Sequence, residues 1–311
     1  MTRKLKHRWT RRRVLGALAG GALSASGLLP AKGWANGALL KTVPSTGERI
    51  PAIGMGTWIT FNVGRDPGLV ADRTEVLRTF LELGGGMVDS SPMYGSAEQV
   101  LGDARREIGD DANLFSATKV WTRSARRGPD QMAESRTLWG LDRFDLMQVH
   151  NLLSWEEHIQ TIRRDKAEGR VRYVGVTTSH GRRHDELEHI LRTETIDFVQ
   201  LTYNILDREV ESRLLPLAAD RGVAVIANRP FRQKALITRF ERYPLPEWAG
   251  EIQCENWPQF LLKFIVSHPA VTCAIPATSR VEHMRQNMGA LHGPQPDSAM
   301  RRRMIAYVES L

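Results

Sequence analysis

The sequence predicts an α/β chain folded as a (β/α)8 TIM barrel, with an N-terminal β-hairpin and a C-terminal helix. Three observations carry that expectation. Short β-branched runs alternate with amphipathic stretches from residue 53 onward. The runs are nearly continuously apolar, as strands buried on both faces of a parallel sheet are. There are eight of them, spread over about 260 residues, the size at which such a sheet closes on itself. An open doubly wound sheet would carry a glycine-rich fingerprint, yet no G-x-G-x-x-G follows any run and no G-x-x-x-x-G-K-[ST] is present.

In chain order, residues 40–43 and 49–53 flank the turn-forming Pro44-Ser45-Thr46-Gly47 and read as a hairpin. Strands are expected at 53–58, 87–90, 114–119, 146–150, 173–177, 198–203, 223–228 and 271–276. Helical periodicity lies between them at 72–83, 97–108, 129–139, 155–168, 184–193, 210–221 and 257–266, then at 281–291 and 297–311. Residues 229–256 show few regular signals and read as a long irregular stretch. No repeat beyond the β/α alternation and no linker marks a second domain, so residues 36–311 are expected to form one barrel domain.

Residues 1–35 read as a leader. They hold eight Lys or Arg and no Asp or Glu, and removing them turns 43 basic against 35 acidic residues into 35 against 35. The formal charge of +8 therefore belongs to the leader, and nothing in the body calls for nucleic acid. Thr10-Arg11-Arg12-Arg13-Val14-Leu15 resembles the twin-arginine export signature, followed by an apolar run at 14–29 and a small-x-small cleavage site at Gly33-Trp34-Ala35. The run has sixteen residues, four of them glycine, short of the ~20 that a spanning helix needs. The expected chain is therefore periplasmic, handled by the twin-arginine export machinery, without a stable membrane anchor and monomeric. The two cysteines, Cys254 and Cys273, lack metal-type spacing and read as buried small hydrophobes, with a disulfide between them left open.

Polar residues at the C-terminal ends of barrel strands face the catalytic mouth. Those ends carry Asp89, Lys119 and His150, with Tyr94 five residues beyond Asp89. Each alone has an ordinary reading: a loop hydrogen-bonder, a rim charge, a satisfied imidazole. Together they suit proton transfer. Tyrosine ionises near pH ~10, and a neighbouring ammonium lowers that value while a carboxylate fixes the ammonium.

The segment Gly85-Gly86-Met87-Val88-Asp89-Ser90-Ser91-Pro92-Met93-Tyr94-Gly95 resembles the second-strand motif of the aldo-keto reductases. The resemblance continues through Ala117-Thr118-Lys119-Val120-Trp121, Leu146-Met147-Gln148-Val149-His150-Asn151, Val199-Gln200-Leu201-Thr202-Tyr203-Asn204 and Ile275-Pro276-Ala277-Thr278-Ser279, covering residues 40 to 295. It implies the (β/α)8 fold, an NADP(H)-dependent reduction of a small carbonyl substrate, and a catalytic set of Tyr94 as proton donor, Lys119 as its tuner, Asp89 and His150. For the cofactor it implies Gly56, Thr57 and Trp58 beside the nicotinamide, Thr177 and Gln200 on the carboxamide, and Tyr203 stacked on the ring. Arg232 would assist the diphosphate, in a segment Asn228-Arg229-Pro230-Phe231-Arg232 where many relatives have Ser-Pro-Leu. Thr278, Ser279, Arg280, His283, Gln286 and Asn287 would grip the adenine end, with Arg280 nearest the 2′-phosphate. Trp58, Met93 and Trp121 would line the substrate mouth, and no metal is implied. A competing function is a nicotinamide-binding regulatory or redox-sensing barrel with little turnover.

The leader generates a test of its own. Arg11→Lys combined with Arg12→Lys should leave a folded, active precursor in the cytoplasm, whereas the native chain should give a soluble mature form starting at or near Asn36. Fractionation with N-terminal sequencing reads both. Uncleaved protein held in the membrane would overturn the reading.

Overall fold

The computed structural model describes residues 37–109 and 113–311; the expected leader lies outside them. Its hairpin is β1 (Leu40–Thr42) against β2 (Arg49–Pro51), antiparallel. Eight parallel strands follow: β3 (Met55–Gly56), β4 (Met87–Asp89), β5 (Phe115–Val120), β6 (Phe144–Val149), β7 (Val171–Thr177), β8 (Phe198–Thr202), β9 (Ala224–Asn228) and β10 (Val271–Ala274). Each pairs with its neighbour in chain order. The ring closes between last and first strands through parallel bridges Ile53↔Ala274 and Gly56↔Ala277.

The glycines on either side of Met55 let the first barrel strand lie close to both of its neighbours. A Cβ on Gly54 would lie 2.8 Å from the Met87 carbonyl oxygen, and one on Gly56 would lie 2.9 Å from that of Ile275. Only glycine lets the backbones approach this closely.

The strands alternate, and the alternation sorts the barrel into layers. Low in the interior, Phe115, Tyr173 and Phe198 pack together, with ring centroids 5.3–5.9 Å apart. The hairpin plugs this end with Val43 and Ile50. Its turn is fastened by Thr46 Oγ1 to the Tyr173 hydroxyl (2.7 Å), and Arg172 bridges Glu48 and Asp145. Higher in the same inward rows the residues turn polar: Asp89, Lys119, Gln148, Thr177, Gln200, Thr202 and Asn228.

Outward residues of the strands meet the helices α1 (Pro67–Glu82), α2 (Ala97–Ile108), α3 (Gly128–Trp139), α4 (Trp155–Ala167), α5 (His184–Thr193), α6 (Leu214–Asp220), α7 (Ala235–Phe240), α8 (Trp257–Val266), α9 (Val281–Gly289) and α10 (Ser298–Glu309). Local chemistry starts several of them. Asp66, Asn256 and Asp297 accept from the amides of Leu69, Gln259 and Met300 at 2.9, 3.0 and 2.7 Å, and Pro67 and Pro258 occupy first-turn positions where no amide is needed. In α2 the buried Ala97, Val100, Leu101 and Ala104 fall on one face at helical spacing.

Three expectations are corrected. Residues 229–256 are not irregular throughout: they contain α7 and a 3-10 helix at Glu247–Ile252, both too short to show periodicity. The helix expected at 210–221 begins as a 3-10 turn, Glu209–Glu211, and breaks at Arg213 before α6. Helix α1 starts at Pro67, five residues before the expected start at 72, because Asp66-Pro67 is itself the start signal. Cys254 and Cys273 are both buried and free. No described helix is long and apolar enough to cross a membrane.

Helix α2 packs closely on α3 at Gly102, where a Cβ would sit 1.8 Å from the Leu138 carbonyl oxygen. Gly102→Ala should therefore lower stability by about 2–3 kcal/mol, the cost of overpacking, despite alanine's better helix propensity. A thermal melt of the variant reads this, and an unchanged or raised Tm would show that the two helices have room to part.

Candidate active site

The site begins with a buried ion pair. Asp89 closes β4 and Lys119 lies in β5, both inward-facing, and the Lys119 ammonium is fully buried. Its Nζ donates to Asp89 Oδ2 at 2.5 Å and to the Ser90 carbonyl at 2.7 Å. Burial by itself would lower the lysine pKa; the charge of Asp89 and the bonds to Asp89 and Tyr94 reverse this and hold it above its ordinary value. The other Asp89 oxygen accepts from Gln148 Nε2 (3.0 Å) and Gln200 Nε2 (3.1 Å). Both carboxylate oxygens are thus engaged.

Tyr94 is brought over this pair by a local device. Ser91 accepts from the Met93 amide, Pro92 fixes the next φ, and the Tyr94 amide donates to the Ser91 carbonyl at 2.9 Å, giving a single 3-10 turn, Pro92–Tyr94. Gly95 ends the turn at φ 61°, where a Cβ would lie 2.3 Å from Asn62 Oδ1. Lys119 Nζ stands 5.1 Å from the Tyr94 ring centroid. Burial raises the Tyr94 pKa; the Lys119 charge opposes it, and Asp89 adds to it. The net direction is upward, so the expected lowering by lysine is outweighed by desolvation, and the phenol stays protonated at neutral pH.

His150 follows β6 and meets Tyr94 edge-on, ring centroids 5.6 Å apart. Its Nδ1 is 2.7 Å from Ser91 Oγ. Ser91 Oγ also accepts from the Met93 amide and keeps both a hydroxyl hydrogen and a second lone pair, so the contact suits either tautomer; with the hydroxyl donating to Nδ1, the neutral ring carries its proton on Nε2. Burial, and then the Lys119 charge, push the His150 pKa down to about 2. A neutral imidazole with a free Nε2–H is a hydrogen-bond donor rather than an acid.

A polar lattice extends across the barrel top. Gln200 Nε2 donates to Gln148 Oε1 (3.2 Å), Asn228 Nδ2 to Gln200 Oε1 (3.3 Å) and to the Thr178 carbonyl (2.8 Å), and Thr202 Oγ1 to Asn228 Oδ1 (2.8 Å). Gln200 is therefore engaged within the protein, and Thr177 Oγ1 accepts from the Asn151 amide at 3.0 Å. Thr57 is fully buried with its hydroxyl on the Asp89 carbonyl and Ser90 Oγ, and Gly56 serves the barrel seam. Trp58 is half-buried, while Met93 and Trp121 are exposed on the rim; Gln131 clasps the Trp121 backbone at both its amide (2.6 Å) and carbonyl (3.1 Å).

One sequence expectation is corrected. Tyr203 cannot stack on a ring in the mouth: it has the outward parity of Val199 and Leu201, is fully buried between barrel and helices, and bonds through its hydroxyl to Glu211 and Arg301. Arg232 is held by both Asp207 oxygens, its Nε at 2.7 Å from Oδ2. At the adenine end, Thr278 and Asn287 are buried, Ser279, His283 and Gln286 are half-buried, and exposed Arg280 stands 3.3 Å from Glu282 at the start of α9. Sequence reasoning missed Ser91, Gln148 and Arg73. Gln148 shares the inward parity of His150, so a period-two reading finds it. Arg73, on α1, donates to the Thr60 carbonyl (2.6 Å) and the Ser279 carbonyl (3.2 Å), joining loops that no local pattern connects.

The family's sequence profile, that of the aldo/keto reductase family, matches residues 52–304. The chain belongs to this family. Curated relatives include the methylglyoxal reductase YeaE of Escherichia coli, 26% identical over 247 residues (78% of this chain, 86% of that protein). The NADH-specific methylglyoxal reductase of the same organism is 24% identical over 318 residues, 81% of this chain and 94% of that protein. Among solved structures, the thermostable aldo-keto reductase Tm1743 in complex with the inhibitor epalrestat is 28% identical with a TM-score of 0.72, covering 86% of this chain and 99% of that one. An aldo/keto reductase from Klebsiella pneumoniae, in complex with NADP and acetate, shares the fold at 22% identity and TM-score 0.72, covering 86% and 94%.

The His150 geometry is testable without turnover. Because its pKa is depressed, the ring should stay neutral as pH falls through its usual range near ~6.5, and NMR should report the Nε2–H tautomer throughout. Ser91→Ala should shift signal toward the other tautomer, and Ser91→Thr should restore it. Protonation of His150 near pH ~6.5 would overturn the assignment.

Proposed function

We propose that the protein is an NADP(H)-dependent oxidoreductase that reduces an aldehyde or ketone to an alcohol. The observation that carries this reading is the buried Lys119–Asp89 pair with Tyr94 and a neutral His150 gathered on it. When bound, the dihydronicotinamide supplies hydride to the carbonyl carbon. His150 Nε2–H donates to the carbonyl oxygen and polarises it. Tyr94 releases its hydroxyl proton to that oxygen as negative charge develops there, and the Lys119 ammonium stabilises the tyrosinate left behind. Asp89, held by Lys119, Gln148 and Gln200, keeps the lysine charged and in place.

The residues present suit a dinucleotide. Thr177 and Gln200 lie beside the catalytic set, hydroxyls of Thr278 and Ser279 precede α9, and Arg229 Nη1 is a buried cation atom with no partner, in the loop after the seventh barrel strand. Arg280, at the start of α9, is the cation available to a 2′-phosphate, which favours NADP(H) over NAD(H). The relative that uses NADH specifically marks this choice as one that varies among similar proteins. The leader adds export through the twin-arginine route to the reading, with the barrel folded before it crosses.

Consumption of NADPH with a panel of aldehydes, methylglyoxal among them, tests the activity. Tyr94→Phe should abolish it while NADPH affinity stays within about twofold, since one hydroxyl is removed and its net worth in binding is small. Loss of both together would make Tyr94 structural, and cofactor binding without turnover by the native chain would favour the redox-sensing alternative.

A further inference from the structure

The loop after β5 combines a fixed backbone with three unanswered charges. It runs from Trp121 to Arg127, directly beyond the strand that carries Lys119. Gln131 holds the Trp121 amide and carbonyl, His158 Nε2 donates to the Thr122 carbonyl at 2.7 Å, and Ser154 Oγ donates to the Arg123 carbonyl at 3.3 Å. A 3-10 turn, Ala125–Arg127, then leads into α3. The side chains are not held in this way. Arg123, Arg126 and Arg127 are exposed and make no side-chain hydrogen bond or ion pair among the described residues. Elsewhere the chain treats arginine differently: Arg78, Arg106, Arg183 and Arg192 each meet a carboxylate three or four positions away. Asp130, three positions beyond Arg127 in the first turn of α3, is paired with none of the loop arginines.

Overall composition does not account for this charge. Beyond residue 35 the chain holds 35 basic and 35 acidic residues. Yet residues 121–127 and 150–154, the loops after β5 and β6, contain three arginines, one histidine and no acidic residue. The histidine is His150, which is neutral. The cofactor does not account for the charge either. In the reading above its phosphates belong to the loops after β9 and β10. In a closed ring of eight strands β5 stands four strands from β9 in either direction, across the mouth from it. Arg123 is four residues past Lys119, which places its Cα within about 14 Å of the lysine's. Charge of one sign beside a cleft concentrates ligands of the opposite sign and speeds their capture.

We propose that the loop after β5 is the specificity element of this site. Arg123, Arg126 and Arg127 draw in carbonyl compounds that carry an anionic group, a carboxylate or a phosphate, and hold that group while the carbonyl reaches Tyr94 and His150. Trp121, 41% exposed, lies between Lys119 and Arg123 in chain order and offers an apolar surface to the body of such a substrate. The proposal rests on the carbonyl-reductase reading above.

The test compares 4-carboxybenzaldehyde and 4-formylphenyl phosphate with the neutral 4-formylbenzamide, each reduced with NADPH. For each anionic aldehyde kcat/KM is divided by that for the amide, a ratio from which losses common to all substrates cancel. Arg123→Gln, Arg126→Gln and Arg127→Gln combined should lower the ratio about tenfold or more, mainly through KM. The native ratio should also fall as NaCl rises from about 0.05 to 0.5 M, because screening tightens over that range. The aldehyde with the larger fall in the triple variant identifies the preferred anion. A ratio that the triple variant leaves unchanged for both anions overturns the proposal, whatever its salt dependence. Should the triple variant fail to fold, Arg126→Glu decides in its place, and an unchanged ratio there overturns the proposal equally. If the native chain reduces none of the three aldehydes, the function reading fails on its own. Binding of 4-(hydroxymethyl)benzoate and 4-(hydroxymethyl)benzamide, read by tryptophan fluorescence, then decides the anion site. The native chain should prefer the benzoate and the triple variant should lose that preference; no preference in the native chain overturns the proposal.

Discussion

The site depends on one ion pair, Lys119 with Asp89, buried at the top of the barrel. Taking two charges out of water costs several kcal/mol per ion, and their attraction offsets that only with good geometry and the remaining lone pairs and protons satisfied. The chain meets this condition. Asp89 accepts from Lys119, Gln148 and Gln200, and Lys119 also donates to the Ser90 carbonyl, with its ammonium 5.1 Å from the Tyr94 ring centroid. A fully bonded pair of this kind fixes where the tyrosine oxygen can lie. It also gives the pair a directional role that a hydrophobic replacement of equal volume would lack.

The same pair sets the electrostatics of its neighbours in opposite directions. The ammonium holds down the phenol pKa that burial drives up, and holds the imidazole neutral where burial already disfavours its charged form. The result is a phenol that stays protonated and an imidazole that stays neutral. Two groups that could both act as acids are separated into distinct roles by one charge and one degree of desolvation.

Backbone strain gathers on the same face. Of the non-glycine residues with positive φ among those described, Ile59, Asn151, Leu152, Ser154, His180, Arg183, Arg229, Arg232, Gln233 and Lys234 lie in segments that leave a barrel strand before the next helix of the outer ring, and Gln253 lies between α7 and α8. A β-branched Ile59 at φ 63° and three consecutive left-handed residues at 232–234 are costly conformations, held by bonds such as Asn204 to the Arg229 carbonyl. The opposite end, plugged by the hairpin and by Arg172 between Glu48 and Asp145, contains none of the strained residues. Stability is concentrated at the bottom and conformational stress at the mouth, the usual division in a barrel whose loops carry function.

The sequence by itself determined the eight strands, most helices and the four residues at the centre of the site, because each is a local signal: apolar runs of strand length, helical periodicity, and a polar residue where a strand ends. Ser91-Pro92 even encodes the turn that carries Tyr94. Other features required the closed ring. The family resemblance put Tyr203 on the nicotinamide ring, but the closed barrel sends it outward against Phe264 and Arg301, while Gln200 and Thr202 take the inward positions of β8. Arg232 finds its carboxylate 25 positions away, and Arg73 finds its carbonyls 13 and 206 positions away. Desolvation was likewise invisible: that burial outweighs Lys119 at Tyr94 follows from how deep the barrel places the phenol, a quantity that belongs to the packed structure and to no residue type.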